Sequence, residues 1–270
     1  MPKLKVFSLL LLMSPLLAEE GPSRPLASNT IVQFLDKQKE SETDNLSLDE
    51  QIQNTKKKLS SLAKDNSAVL DEYEQMVAIL VKAYKEEKSM KEEQVKHVLN
   101  ALLYAAECHQ SQTRKNMAHT PYIIHPMSVT QNLLSIGHVR DTDVIIASLL
   151  HDTIEDTQAT YDDLKKRFGE KVEGLVREVT EDNKLAGQKK RKMQIVHALQ
   201  TSKEASMIKL ADKLYNLEAL ITEPPEKWTR ERIDQYFEWS QVVIDNLPDA
   251  NPDLKAAVHK VILDYWQKQS

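Results

Sequence analysis

Four ionisable side chains fall within one short stretch where an apolar run ends: His151, Asp152, Glu155 and Asp156 follow residues 144–150. Burying that run brings His151 and Asp152 to the rim of the core, where a lone charge is costly unless paired or bound to a metal. In continued helical geometry Asp152 and Asp156 stand one turn apart on one face, with Glu155 beside them. Carboxylates crowded in this way repel one another unless a cation or a shared proton compensates. A polar helix end facing water would account for an isolated His-Asp pair equally well. Two further fragments argue for chemistry. One is His125, held in the proline-flanked stretch Pro121-Tyr122-Ile123-Ile124-His125-Pro126; the other is Asp212, which lies outside the apolar stripe of a later helix. Two imidazoles and two carboxylates make a mixed nitrogen and oxygen site for a borderline-to-hard divalent ion, and manganese (Mn2+) suits it.

The elements that must position these residues are legible as helices. Val98, Leu99, Leu102, Leu103 and Ala106 give residues 95–108 a buried stripe. A loop through Arg114 and Lys115 then leads to His125, expected at the cap of a helix with Pro126 in its first turn and Gly137 at its end. Asp141 or Thr142 caps the next helix, which delivers His151 and Asp152. Short helices follow, one stopped at Gly169 and one over residues 172–179, then a polar loop to residue 188 and the basic run Lys189-Lys190-Arg191-Lys192. Met207, Leu210, Leu214, Leu217 and Ile221 form one stripe, with Asn216 one turn beyond Asp212. After the break at Pro224-Pro225, helices are expected over residues 229–247 and 252–266, the second capped by Asn251. Nothing alternates as a strand, so the fold class is all-α.

Upstream, residues 48–91 carry a capping box at Ser47 and Glu50 and then apolar residues at helical spacing from Ile52 to Tyr84. This helical extension reads as a hairpin on the main domain, or as a coiled-coil segment that makes a homo-oligomer. Residues 19–47 form a polar linker. In residues 1–18, Lys3 and Lys5 precede an apolar stretch that exits into Glu19-Glu20, the layout of a signal peptide. Export to the periplasm or medium is therefore expected, with a cytoplasmic protein as the alternative. The stretch is too short for a comfortable membrane span, so no stable membrane insertion of the mature chain is expected. Residues 92–270 hold the chemistry. One cysteine in 270 residues, Cys108, excludes an internal disulfide framework and a cysteine-based zinc site. A formal charge of -5 gives no reason to expect nucleic acid as a partner.

The words around the ionisable residues are more specific than the residues themselves. Arg114-Lys115 with Thr120-Pro121-Tyr122-Ile123-Ile124-His125-Pro126 resembles one element of the RelA/SpoT hydrolase domain, an HD-domain phosphohydrolase. Leu150-His151-Asp152-Thr153-Ile154-Glu155-Asp156 is similar to a second element. Lys209-Leu210-Ala211-Asp212-Lys213-Leu214-Tyr215-Asn216-Leu217 is similar to a third, and Arg191-Lys192-Met193 and Tyr236-Phe237-Glu238-Trp239 also match. The resemblance covers residues 99–266 and is greatest to the small hydrolase-only members, the metazoan SpoT homologue among them. Two positions depart from the pattern. His119 stands where a glycine is expected before Thr120-Pro121-Tyr122, and Glu218 where an arginine is common.

The resemblance implies an HD-domain helical bundle that hydrolyses the 3′-pyrophosphate of the guanine nucleotide alarmone ppGpp or pppGpp, leaving GDP or GTP, with no synthetase region expected. By matching position, His125, His151, Asp152 and Asp212 would hold Mn2+. Glu155 and Asp156 would be catalytic, positioning and deprotonating the attacking water and managing the leaving group. Arg114 would flank the base, and Lys115, Tyr122 and Asn216 would seat the nucleotide. Lys184, Lys190 and Arg191 are further candidates for the phosphates, although a run of lysines is as often simply solvated. Two other readings stay open: an HD phosphatase on another nucleotide, such as removal of the NADPH 2′-phosphate, and a non-catalytic interaction module.

Overall fold

A computed structural model describes residues 46–181 and 187–269. The chain enters through α1 (Leu48–Leu62) and α2 (Ser67–Lys85), an antiparallel pair. The expected capping box is present: Glu50 N–H donates to Ser47 Oγ while the Glu50 carboxylate accepts from Ser47 N–H. The single apolar stripe of this region is broken where Lys64 and Asp65 take left-handed backbone conformations. Neither is glycine, so periodicity alone did not mark the turn. Residues 1–45, which carry the expected leader and most of the linker, lie outside the described residues.

The hairpin packs onto α3 (Glu92–Cys108) and α4 (Ile124–Ser135). α5 (Thr142–Leu150) follows, capped by Asp141, which accepts from Asp143 and Val144 N–H. Every residue from Val144 to Leu150 is buried, so α5 is the central strut, covered on all sides. The one-turn α6 (Thr153–Asp156) leads to α7 (Tyr161–Phe168) and α8 (Glu170–Val179), with Gly169 at φ 91° between them.

The basic run forms part of α9 (Gly187–Ala198), which the sequence reading did not expect. Lysine and arginine are good helix formers, yet the segment has no apolar stripe to announce it. It is supported instead by packing on α11 (Arg230–Asn246), which follows the long α10 (Lys203–Thr222); α12 (Pro252–Gln267) closes the chain. α10 packs against α4, α5, α8 and α12. Among the described residues the regular structure is helical, with one isolated bridge between Thr113 and Pro121.

Candidate metal centre and adjoining pocket

Three helices converge at one end of α5. Its last carbonyls have no helical partner, and the residues just beyond it supply them. His151 Nδ1 bonds Ser148 O at 2.7 Å and Thr153 Oγ1 donates to Leu150 O at 2.7 Å. The first of these places a proton on Nδ1 and leaves the His151 Nε2 lone pair facing inward, the usual second bond of a metal-binding histidine. His125 comes from α4. It is the second residue of that helix rather than its cap, since the first turn begins at Ile124. Its Nε2 lies 3.2 Å from His151 Nε2. Asp152 Oδ2 lies 3.3 Å from His125 Nε2 and 3.2 Å from His151 Nε2, while Asp212 Oδ1, from α10, lies 3.3 and 3.9 Å from them. Such separations are those of neighbouring ligands each about 2.0–2.2 Å from a common ion. The buried nitrogens and half-buried carboxylates therefore fit a divalent cation, and His125, His151 and Asp212 form a ligand cluster by themselves.

Electrostatics in the ion-free protein point the same way. Burial would raise the Asp152 carboxyl, but the His151 charge and hydrogen bonds from both imidazoles hold it well below the usual carboxylate range. Burial would likewise raise Asp212; the Lys213 ammonium and His125 outweigh it and hold it low. For His151, burial pulls downward, while Asp152 and Asp212 push its pKa up to about 9. A proton there stands in for a cation, and binding an ion would release it.

A cavity of about 480 Å³ opens beside this centre, lined by Arg114, Lys115, Tyr122, Asp156, Tyr215 and Asn216 among others. Tyr122 O–H donates to Asp152 Oδ2 at 2.6 Å and stands 3.4 Å from Asp156 Oδ2. Asn216 Nδ2 donates to Asp212 Oδ1 at 2.6 Å, and Asn216 Oδ1 accepts from Arg114 Nη2 at 3.3 Å. The Arg114 guanidinium, in the cavity lining, lies 5.1 Å from the Tyr215 ring centre and 5.9 Å from that of Tyr122. Asp156 is raised from its ordinary range, first by burial and then by the Asp152 and Glu155 charges.

The HD domain family matches residues 101–237, which contain all four candidate ligands, both further carboxylates and Arg114. The chain belongs to the HD-domain family. Within that family it is similar to proteins named as pyrophosphohydrolases. The guanosine-3′,5′-bis(diphosphate) 3′-pyrophosphohydrolase MESH1 of Xenopus tropicalis is 40% identical over 167 residues, which is 62% of this chain and 93% of that protein. The Drosophila melanogaster protein of the same name is 44% identical over 163 residues, covering 60% of this chain and 91% of its own. A solved structure, described as a metazoan ortholog of SpoT that hydrolyzes ppGpp, superposes with a TM-score of 0.61 at 42% identity. It covers 63% of this chain and 95% of that one. The chain is thus an HD-domain protein of the RelA/SpoT type, similar to the metazoan SpoT homologue.

Measured against that HD-domain pattern, the expected residues divide. Glu155 faces Lys190, with which it forms an ion pair, and accepts from Glu181 N–H at 3.4 Å. Lys190 is therefore at the site, although through a carboxylate. Arg191 is not brought to the cavity lining: its guanidinium lies 5.6 Å from the Trp239 ring centre, and Trp239 Nε1 donates to Arg191 O at 3.1 Å. Lys184 lies outside the described residues. Sequence reasoning missed Tyr215, which lies beside both Arg114 and the His125 ring at 4.9 Å. It also missed Lys213, a buried ammonium 3.4 Å from Asp212 Oδ2 and 4.7 Å from the Trp239 ring centre. Both stand within the third motif, so the motif was the available signal.

The two departures prove different in kind. Glu218 is exposed and does not line the cavity. His119 keeps the glycine-like backbone, at φ 47°, in the loop where Arg114 N–H donates to Thr120 O at 2.8 Å. A side chain in that region is strained by about 1 kcal/mol or more. His119→Gly is accordingly expected to raise the melting temperature by roughly 2–4 °C with the loop geometry preserved. Thermal unfolding measures this, and an unchanged or lower midpoint would remove the strain argument.

Proposed function

We propose that this HD-domain protein hydrolyses the 3′-pyrophosphate of ppGpp or pppGpp, releasing pyrophosphate and leaving GDP or GTP. The observation that carries this reading is the juxtaposition of a two-histidine, two-aspartate centre with Asp156, which lines a cavity of about 480 Å³ and whose chain neighbour is Glu155. That volume is in the range of small-molecule sites, about 300–1,000 Å³. The names borne by its relatives supply the substrate class.

His125, His151, Asp152 and Asp212 would hold the ion, for which Mn2+ is the natural choice from the donor set. When bound, a divalent ion supplies Lewis acidity, acidifying water and neutralising charge on the attacked phosphoryl group. Water attacks the phosphorus joined to O3′, the P–O3′ bond breaks, and O3′ leaves with a proton. Asp156, raised in pKa and beside Tyr122 O–H, is suited to accept the water proton and return one to O3′. Glu155, held by Lys190, is suited to position the water. Arg114 offers a flat cation to the base, and the Arg114-Asn216-Asp212 chain of hydrogen bonds ties the base end of the cavity to the metal centre.

The test is a substrate panel on the chain lacking residues 1–18, supplied with Mn2+ and ppGpp, NADPH or simple nucleoside triphosphates. Pyrophosphate from ppGpp is the expected product. Inorganic phosphate from NADPH alone would favour 2′-phosphate removal, and an absence of turnover would leave the non-catalytic reading. Export is proposed on residues 1–18 alone; the first residue of the mature protein decides it.

A further inference from the structure

The cavity lining carries a second carboxylate, Glu223, well away from the metal centre. Asp212, Asn216, Leu220 and Glu223 follow at spacings of four, four and three, so they share one face of α10 and its end; the last three line the cavity. The eleven-residue step from Asp212 to Glu223 is about 16 Å along the helix axis. One face thus runs from the metal centre to the outer end, a span suited to an extended nucleotide. Glu223 is the C-cap residue of α10, where unpaired carbonyls disfavour negative charge.

Its carboxylate is nevertheless held in place. Asn116 Nδ2 donates to Glu223 Oε2 at 2.6 Å. Asn116 is only 7% exposed, and the rest of its amide engages Thr120: Nδ2 donates to Oγ1 at 3.3 Å and Oδ1 accepts from the backbone N–H at 3.3 Å. These bonds fix which end of the amide faces Glu223. The flat groups Pro225, Trp228 and Tyr236 share the cavity lining with the pair.

We propose that Glu223, held by Asn116, reads the donor edge of guanine and gives the cavity its preference for guanine over adenine. The inference rests on the reaction proposed above. Guanine presents adjacent N1–H and N2–H donors, and an ionised carboxylate only accepts. Adenine places an unprotonated N1 at the same point, lone pair against lone pair. A site built to bond a donor rejects an analogue that lacks it.

The experiment uses the full chain with Mn2+ and compares wild type, Glu223→Gln and the control Glu226→Gln, whose carboxylate lies outside the cavity lining and 3.6 Å from His119. GDP and ADP binding are measured by calorimetry, and turnover with ppGpp and its adenine counterpart. Wild type is expected to bind GDP at least about tenfold more tightly than ADP. In Glu223→Gln an amide donor can face the base, so the preference should fall to within about threefold, with ppGpp kcat/KM lost mainly through KM. The control should match wild type. Equal binding of GDP and ADP by wild type, or an undiminished preference in Glu223→Gln, overturns the inference. The two readings fail separately. A Glu223-dependent preference for GDP without ppGpp turnover would sink the reaction alone, and ppGpp turnover indifferent to Glu223 would sink the recognition alone.

Discussion

Asp212→Ala is expected to lower ppGpp hydrolysis by roughly 10³-fold or more and to yield protein without its divalent ion. Asp212 is the ligand that α10 would contribute, with Oδ1 3.3 Å from His125 Nε2. The same oxygen accepts from Asn216 Nδ2 at 2.6 Å, so the truncation also frees the chain of bonds that leads to Arg114. It leaves the buried Lys213 ammonium without its carboxylate neighbour, which adds a stability cost to the chemical one. Asp212→Asn separates these effects, because it keeps an acceptor for Asn216 and removes the charge. Metal content after desalting, steady-state turnover and far-ultraviolet circular dichroism would be measured on both variants. A stoichiometric ion together with turnover within tenfold of wild type would falsify the ligand assignment.

Asp156→Asn is expected to leave metal content unchanged and to reduce kcat by about 10²–10⁴-fold. Its carboxylate contacts Tyr122 O–H but no ligand nitrogen, so the loss should fall on proton transfer rather than on ion affinity. The sign of the pH dependence follows from the state required. A proton acceptor must be ionised, so wild-type kcat/KM should fall as pH drops through the Asp156 pKa. That limb should lie above the ordinary aspartate value of 3.8, because burial and then the Asp152 and Glu155 charges disfavour ionisation. In Asp156→Asn the limb should vanish from the residual activity. A variant within threefold of wild type, or one that retains the same acid limb, would show that another group carries the proton.

Much of this site is visible before folding because its logic is local. The burial of residues 144–150 forces His151 and Asp152 to the end of α5. The spacing of Ser148, His151 and Thr153 then closes the helix and orients the imidazole in one step. Helix caps at Asp141, Thr160 and Asn251 are local in the same sense, each side chain bonding an N–H two or three residues ahead. Where local rules were silent, expectation and structure part. The turn at Lys64 and Asp65 has no glycine to mark it, and α9 has no apolar stripe. The cap expected at His125 moved outward because Ile124 already takes helical hydrogen bonding ahead of Pro126.

The sequence by itself determined the all-α class, the residues that can bind a cation, and the pairing of that centre with two further carboxylates. These follow from periodicity and residue type within a few positions of one another. Tertiary packing alone decided which side chains from distant helices meet. It set Asp212 against His125, Lys190 against Glu155, and Asn116 against Glu223, and it turned Arg191 away to Trp239. Those pairings join residues 35 to 107 positions apart. No periodicity reaches so far; the distances are fixed only when buried helix faces choose their neighbours.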